Sequence, residues 1–171
     1  MKSLIATVLL FLIAPVVTSA QSTQNPAVQD RAQGYLFFGM GVLSEAPAHY
    51  GIFHTGGGAD IRVLKGLGID SELGVMGRLG DGVGLFSIGP SYHFLGAPHK
   101  SKLEPFVDGG YTRTFGQHGF TSSGNLFNFG GGINYWFFKR VALRVDFRDY
   151  VDHNLRRTDN YPAIRIGLVF R

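Results

Sequence analysis

The feature that most constrains this chain is the position of its charges within short alternating segments. In a β-strand, successive side chains point to opposite faces of the sheet. Between Val141 and Arg148, odd-numbered positions are apolar, whereas Arg144 and Asp146 occupy even-numbered ones. In the segment that ends at Phe170, charge and apolar side chains are separated in the same way. This recurring parity predicts an all-β chain.

The length of these segments matches that of membrane strands. A membrane β-strand needs about 9–11 residues, and bacterial barrels have an even number of strands. A charge facing lipid at mid-depth would cost about 2–4 kcal/mol for Arg or Lys, so a membrane would select this parity. We therefore predict an eight-stranded antiparallel up-and-down transmembrane β-barrel, with both chain ends periplasmic. The eight segments are Gly34–Leu43, Thr55–Lys65, Leu67–Leu79, Val83–Leu95, Leu103–Phe115, Asn125–Phe137, Val141–Tyr150 and Tyr161–Phe170.

A soluble β-sandwich or lipocalin-like barrel is the alternative fold, because its strands alternate too. An export signal, near-uniform segment length and aromatic residues near segment ends favour the membrane barrel. We expect these aromatics to form girdles at the two membrane interfaces. They are Tyr35, Phe37, Phe94, Phe115, Trp136, Phe137, Phe138, Tyr150, Tyr161 and Phe170.

The first residues have the pattern of a secretory signal. A short positive start at Met1–Ser3 precedes an apolar run from Leu4 to Val17, and small residues follow up to Ala20. We predict a cleaved signal peptide over 1–20, a flexible periplasmic lead-in over 21–33 and an outer-membrane barrel domain over 34–171. No apolar run beyond the signal reaches the roughly 18 residues of a helical span. The expected location is the bacterial outer membrane.

Three stretches carry a resemblance to a known superfamily: 128–132, 142–150 and 163–171. From about Gly34 to Arg171, the chain resembles the small bacterial outer-membrane β-barrels, the OmpA/OmpX-type and opacity-type membrane domains. In that superfamily the last strand, which usually ends in an aromatic residue, is the signal for barrel assembly. The resemblance gives that role to Phe170, although here Arg171 follows it.

The charged positions of the segments share the face that would line the barrel. An eight-stranded barrel has an interior just wide enough to be filled by side chains. Mixed charges in that space would pair, and the planar guanidinium of Arg suits carboxylates. We predict a salt-bridge network that closes the lumen, formed by Asp60, Arg62, Asp70, Glu72, Arg78, Glu104, Asp108, Arg144, Asp146, Arg148 and Arg165.

The predicted role is structural or interactive, in membrane integrity or adhesion. Loops on a rigid scaffold usually carry specificity. The loop residues proposed for surface contact are Phe53, His54, Phe120, Arg156 and Arg157, of which the last two could touch lipopolysaccharide phosphates. The expected partners are outer-membrane lipid, lipopolysaccharide and a surface partner reached through the loops. A net charge of +4 without a basic run does not favour nucleic acid, and we expect a monomer.

Two other functions stay open: a narrow porin-like channel, and an enzyme that modifies lipid A. Enzyme chemistry would need a nucleophile, a base and an orienting acid at the rim. The nearest candidates are His118 with Ser122 or Ser123, and His153 with Asp152, but no motif surrounds them. The chain has no cysteine, no metal-ligand spacing among its histidines and no phosphate-binding glycine motif. We therefore predict no catalytic residue, metal or cofactor.

Overall fold

The structure, a computed structural model, describes residues 32–45, 48–78, 81–94, 102–116, 124–154 and 157–171. The predicted signal peptide, and the lead-in up to residue 31, lie outside these residues. No helix in the described ranges is long and apolar enough to span a membrane. The strands are β1 (Ala32–Glu45), β2 (Ala48–Arg62), β3 (Leu67–Arg78), β4 (Asp81–His93), β5 (Leu103–Phe115), β6 (Asn125–Trp136), β7 (Val141–Asn154), β8 (Arg157–Asn160) and β9 (Ala163–Phe170).

These strands close into a barrel. Each strand from β1 to β6 pairs antiparallel with the next, β1 also pairs with β9, and β9 pairs with β7. The pairing of β6 with β7 completes the ring. The short β8 pairs with β7 alone and, after the break at Tyr161–Pro162, continues as β9, so the two form a single eighth position in the wall. The prediction of a closed eight-stranded antiparallel barrel is confirmed.

Some strand limits differ from the prediction. The second strand begins at Ala48 and not at Thr55, and Ala48 pairs directly with Glu45. The long loop expected between the first two strands is therefore mostly sheet. Polar and small residues between His49 and Gly58 hid the alternation, because neither face of that stretch is uniformly apolar.

The two ends of the barrel have different connections. One end of the barrel carries the first residue of β1, the last residue of β9 and the tight turns 63–66 and 137–140. We call it the terminal end. In the first turn the amides of Val63 and Leu64 donate to the Leu67 carbonyl at 2.8 and 3.1 Å, and Gly66 takes a φ of 80°. We call the opposite end the loop end. It carries the connections after β1, β3, β5 and β7.

The outer face of the barrel is apolar along nearly its whole height. Exposed side chains on this face include Phe38, Met40, Ile69, Leu73, Phe86, Ile88, Val107, Phe127, Phe129, Ile133, Val145, Phe147, Ile164, Ile166 and Leu168. Water does not favour so large a continuous apolar surface, whereas lipid does. The belt is the outward half of the alternation read from the sequence.

Half of the aromatic residues predicted for the girdles lie inside the barrel instead. Tyr35, Phe37, Trp136, Tyr150 and Tyr161 are buried, whereas Phe94, Phe115, Phe137 and Phe138 are exposed. The reason is parity. Tyr35 and Phe37 lie at odd-numbered positions of β1, opposite to the exposed Phe38 and Met40.

Glycines in β2 make room for the inward aromatic residues. A Cβ added at Gly58 would lie 2.5 Å from the Tyr35 ring and hydroxyl, and one at Gly56 would lie 3.0 Å from the Phe37 ring. The glycine run at 56–58 is thus a packing surface for the neighbouring strand. Any larger side chain at Gly58 would push Tyr35 away.

Candidate functional site: the barrel interior

Of the eleven residues predicted to line the lumen, all except Arg78 lie inside the barrel. They form two groups at different heights. We call the first the central network: Asp70, Glu72, Asp108, Arg144, Asp146, Arg148 and Arg165, with the Tyr35 hydroxyl. We call the second the terminal cluster: Asp60, Arg62, His93, Glu104, Gln33 and Trp136.

Arg165 links two strands at the centre of the network. Its Nη1 donates to both carboxylate oxygens of Glu72 at 2.8 and 2.9 Å, and its Nε donates to Asp146 at 2.6 Å. Gly39, its neighbour across the β1–β9 pair, leaves space for the Arg165 side chain, because a Cβ there would lie 2.7 Å from Arg165 Cγ. A fully buried guanidinium is stable only when carboxylates surround it in this way.

Arg144 and Arg148 join the remaining acids. Arg144 donates from Nε to Asp146 at 2.8 Å and from Nη2 to Asp108 at 3.4 Å. Arg148 also binds Asp108, and its guanidinium lies 3.7 Å from Asp70 and 3.8 Å from Glu72. Every charge of the central network thus has an opposite charge within ion-pair distance.

Aromatic side chains complete the central network. The Tyr35 hydroxyl lies within hydrogen-bond distance of both Asp70, at 2.8 Å, and Glu72, at 3.1 Å, and can donate its one proton to either. The Arg144 guanidinium lies between the rings of Tyr35 and Phe106, at 4.3 and 3.9 Å from their centroids. Such stacking stabilises a cation where water is absent. The network therefore fills its level of the barrel with matched polar and aromatic groups.

Glu104 is the hub of the terminal cluster. One of its oxygens accepts from Arg62 at 2.5 Å and from Gln33 at 3.2 Å, and the other accepts from the Trp136 indole at 3.1 Å. His93 lies 2.8 Å from the same carboxylate through Nδ1 and 3.3 Å from Asp60 through Nε2. The cluster therefore ties β1, β2, β4, β5 and β6 together near the terminal end.

His93 was not predicted to be a lumen residue, although a signal for it exists. In β4, Ser87, Ser91 and His93 alternate with the exposed Phe86 and Tyr92. Counting by two from the serines would have placed this histidine inside. It was missed because the prediction took lumen residues only from the Asp, Glu and Arg positions.

The loop end of the interior is filled mainly by apolar side chains, next to the buried His54 and Asp152. This group, which we call the apolar plug, comprises Leu43, Ile52, Met76, Val83, Leu85, Leu126, Tyr150 and Tyr161, all at most 4% exposed. Its members follow the same parity as the charges; Met76, for example, is four positions beyond Glu72. The plug was not predicted from the sequence, because apolar positions were taken to face outward.

Arg78 is not part of the network, which corrects the prediction. It is the last residue of β3, paired with Asp81 across the turn, and about half of its side chain is exposed. Its guanidinium lies 3.5 Å from Asp81 and 5.3 Å from the Tyr50 ring centroid. Its parity is inward, but at the barrel mouth an inward-facing position is open to solvent.

Two of the proposed surface-contact residues are also corrected. His54 is completely buried in β2, edge-on to the Phe37 ring and 3.4 Å from the Tyr150 hydroxyl. Phe53 lies in the same strand on the outer face and is partly exposed. Both are wall residues and not loop residues, because β2 begins earlier than predicted.

The remaining candidates are only partly described. Phe120, Arg156, His118, Ser122 and Ser123 lie outside the described residues. Arg157 and His153 lie in the β7–β8 hairpin, where His153 pairs with Thr158 and Asp152 with Asp159. In the described part of the chain, no cluster of His, Cys, Asp and Glu could hold a metal ion. Phe170 ends β9 and pairs with Gly34 and Val141; its role in assembly stays a prediction.

Comparison with solved structures identifies the fold. Neisserial surface protein A matches with a TM-score of 0.61 at 16% identity, over 81% of this chain and 96% of that one. The N-terminal β-barrel domain of Pseudomonas aeruginosa OprF matches with a TM-score of 0.57 at 18% identity, over 83% and 98%. The chain has the fold of the small outer-membrane β-barrels.

A designed protein belongs to the same set of matches. A de novo transmembrane β-barrel aligns with a TM-score of 0.57 at 19% identity, over 86% of this chain and 97% of that one. No protein-family model matches the chain, and no curated protein matches its sequence. The likeness to solved structures therefore defines architecture, and function has to be argued from the residues themselves.

Proposed function

We propose that this chain is an integral outer-membrane β-barrel protein with a closed lumen and a structural or surface-interaction role, not a channel and not an enzyme. The observation that carries the proposal is the filling of the interior. An apolar plug at the loop end covers the ion-paired central network below it. Ions crossing the barrel would have to displace both.

The apolar belt supports the membrane location. Exposed Ile, Leu, Val and Phe side chains surround the wall, while most charged positions of the strands are inside; Arg113, on the outer face near the loop end, is an exception. The outer membrane is the bacterial membrane that holds barrels of this fold, and the solved structures that match this chain include a Neisserial surface protein and a Pseudomonas β-barrel domain. A predicted export signal at the N-terminus agrees with that destination.

The unequal height of the wall supports the interaction role. Strands β1, β2 and β7 have 14, 15 and 14 residues, whereas β3 to β6 have 12 or 13. The excess lies at the loop end, where the β1–β2 and β7–β8 hairpins are neighbours in the sheet order. Two adjacent hairpins that project beyond the lipid would form a rigid platform for contacts with another surface.

The location is tested by heat-modifiability of the protein from an outer-membrane fraction. A closed barrel resists detergent, so the unboiled protein should migrate differently from the boiled one on a detergent gel. A protein that is recovered from the periplasm and migrates identically in both states would contradict the proposal. The alternation would then belong to a soluble barrel.

The interaction role is tested by replacing residues 152–159 of the β7–β8 hairpin with a two-residue Asn-Gly turn. We expect heat-modifiability to persist and adhesion of expressing cells to a host-cell or bacterial surface to fall. The matched control replaces residues 63–66 at the terminal end with an equivalent turn and should leave adhesion unchanged. Equal adhesion in both variants would contradict the interaction role. The structural role in membrane integrity would then be tested by leakage of a periplasmic marker.

A further inference from the structure

Among the described residues, the basic residues at the terminal end of the barrel are not accompanied by exposed acids. We define the cationic rim as Lys65, Lys102, Lys139, Arg140 and Arg171, which lie on three connections and at the end of β9. The acids nearest to this end, Asp60 and Glu104, are buried inside the terminal cluster. Among the described residues, no acidic side chain is exposed at the terminal end.

The loop end differs in its charge balance. There the exposed Arg78 is paired with the equally exposed Asp81. Arg113 lies on the outer face near the same end, and its guanidinium donates to Asn125 at 2.5 Å. Among the described residues, Arg78 at the loop end thus has an exposed acidic partner, whereas no exposed acid accompanies the cations of the terminal end.

Exposed apolar side chains accompany the cations of the rim. Turn 63–66 combines Val63 and Leu64 with Lys65, and turn 137–140 combines two phenylalanines with Lys139 and Arg140. Leu64 and Phe138 are 67% and 68% exposed, although they lie at the very tips of the turns. Apolar groups beside long cationic side chains are typical of a surface that rests in a lipid interface, where the chains reach up to headgroups.

Arg171 and Trp136 hold one part of the rim in place. The Arg171 guanidinium lies 3.9 Å from the centroid of the Trp136 ring, and its Nε donates to the Lys139 carbonyl at 3.3 Å. The Arg171 amide donates to the Arg140 carbonyl at 3.1 Å. Three basic residues, Lys139, Arg140 and Arg171, are therefore neighbours at the seam between β9 and turn 137–140, and the side chains of Lys139 and Arg140 are exposed there.

From this arrangement we infer that the cationic rim binds the headgroups of anionic phospholipids, such as phosphatidylglycerol, in the leaflet at the terminal end. The inference rests on the proposed function, because it requires the barrel to span a bilayer. Anionic headgroups supply the charge that the rim lacks, and the neighbouring phenylalanine and leucine side chains enter the acyl region below them. Binding would fix the height and orientation of the barrel in its membrane.

The test uses nitroxide-labelled lipids with the refolded full chain in phosphatidylcholine bilayers. Electron spin resonance measures the fraction of labelled phosphatidylglycerol or phosphatidylcholine that is immobilised at the protein surface. A cation near a membrane surface favours an anionic lipid by roughly fivefold. Averaged over both leaflets, we expect phosphatidylglycerol to associate at least about twofold more strongly than phosphatidylcholine, with the preference declining between about 0.01 and 1 M salt.

The decisive variant is Lys65→Gln/Lys139→Gln/Arg140→Gln, which removes three of the five rim cations and should reduce the preference clearly towards one. Because these side chains are exposed, the variant should fold, and a heat-shift gel verifies this. Lys65→Arg/Lys139→Arg should keep the preference. The matched control at the loop end, Arg78→Gln/Arg113→Gln, should keep it as well.

Each alternative result has a distinct meaning. If both lipids are immobilised equally by the unchanged protein, the inference is wrong. A soluble acidic partner would then be the remaining candidate ligand of the rim. If the loop-end control loses the preference as fully as the rim variant, the rim is not its source. If neither lipid is immobilised, the chain does not span the bilayer, and the proposed function fails together with the inference.

Discussion

The two halves of the barrel interior are filled by opposite chemistry within one continuous wall. The terminal half holds buried arginines and carboxylates that pair across strands, as Arg165 does with Glu72 and Asp146. The loop half holds the apolar plug, where Leu126 and Met76 are completely buried. The same strands supply both, so the wall does not dictate what fills it.

This difference separates two ways of stabilising a narrow lumen. Each buried ion in the terminal half depends on particular partners, because an unmatched charge away from water is very costly. Each aliphatic side chain in the plug depends on volume alone, so its neighbours can partly relax around a change. Substitutions in the two halves should therefore differ in cost and in tolerance.

The largest effect is expected for Arg165→Met. This change keeps much of the side-chain volume but leaves Glu72 and Asp146 buried without the guanidinium that bridges them. Removing one partner of a buried ion pair costs about 3–5 kcal/mol. The loss is measured by urea titration of the protein in lipid vesicles, with the folded fraction read from the band of the unboiled protein on a detergent gel. The exposed Arg78→Met is the matched control, with an expected change within about 0.5 kcal/mol.

A smaller effect is expected for Leu126→Ala in the plug. Truncation of a fully buried leucine costs about 2–5 kcal/mol, and the plug can collapse partly because its end faces the loops, so we expect about 3 kcal/mol. The same urea titration measures it. Leu126→Met, which nearly conserves volume, should cost less than about 1.5 kcal/mol. If Leu126→Met proved as costly as Leu126→Ala, the plug would not be governed by volume.

A third effect concerns the close contact between Gly58 and Tyr35 in the terminal half. Gly58→Ala would place a methyl group 2.5 Å from Tyr35, whose hydroxyl binds Asp70 and Glu72. Forcing extra volume into a packed interior costs about 1–3 kcal/mol. Gly51→Ala in the same strand is the control, since a Cβ there would meet nothing within 4 Å. Equal stability of the two variants would contradict the proposed packing.

The smallest effect is expected for Trp136→Phe. The change removes the indole N–H that Glu104 accepts at 3.1 Å, while Arg62 and His93 remain on that carboxylate. Loss of one hydrogen bond to a charged group costs about 1.5–3 kcal/mol, and we expect the lower limit because other donors remain. Tyr135→Phe, on the outer face, should be nearly neutral in the same titration. A larger loss than that of Leu126→Ala would make Glu104 more dependent on this donor than the geometry implies.

The barrel could be predicted from the sequence because the membrane restricts charged side chains to one face of every strand. Lipid penalises an outward charge wherever it falls, so Asp70, Asp146 and Arg165 reveal the inner face without any knowledge of pairing. The same constraint says nothing about uncharged inward positions. Met76 and Leu126 could have faced either way, and the interior of the loop half was therefore missed.

Other errors came from strand limits, which depend on pairing. His54 was assigned to a loop because the alternation is weak before Gly56, whereas the direct pairing of Ala48 with Glu45 extends the sheet through it. Arg78 has inward parity but lies at the last rung of β3, where the mouth is open. Parity therefore assigns a face, and only the register assigns a height.

The most direct test of the closed lumen is electrical recording from the folded protein in planar lipid bilayers. Folding is verified first by the heat shift of the same preparation. We predict no current steps above those of the bare bilayer, because the apolar plug and the ionic network both obstruct the lumen. Reproducible ohmic steps would contradict this account and favour a narrow channel through the central network and the terminal cluster.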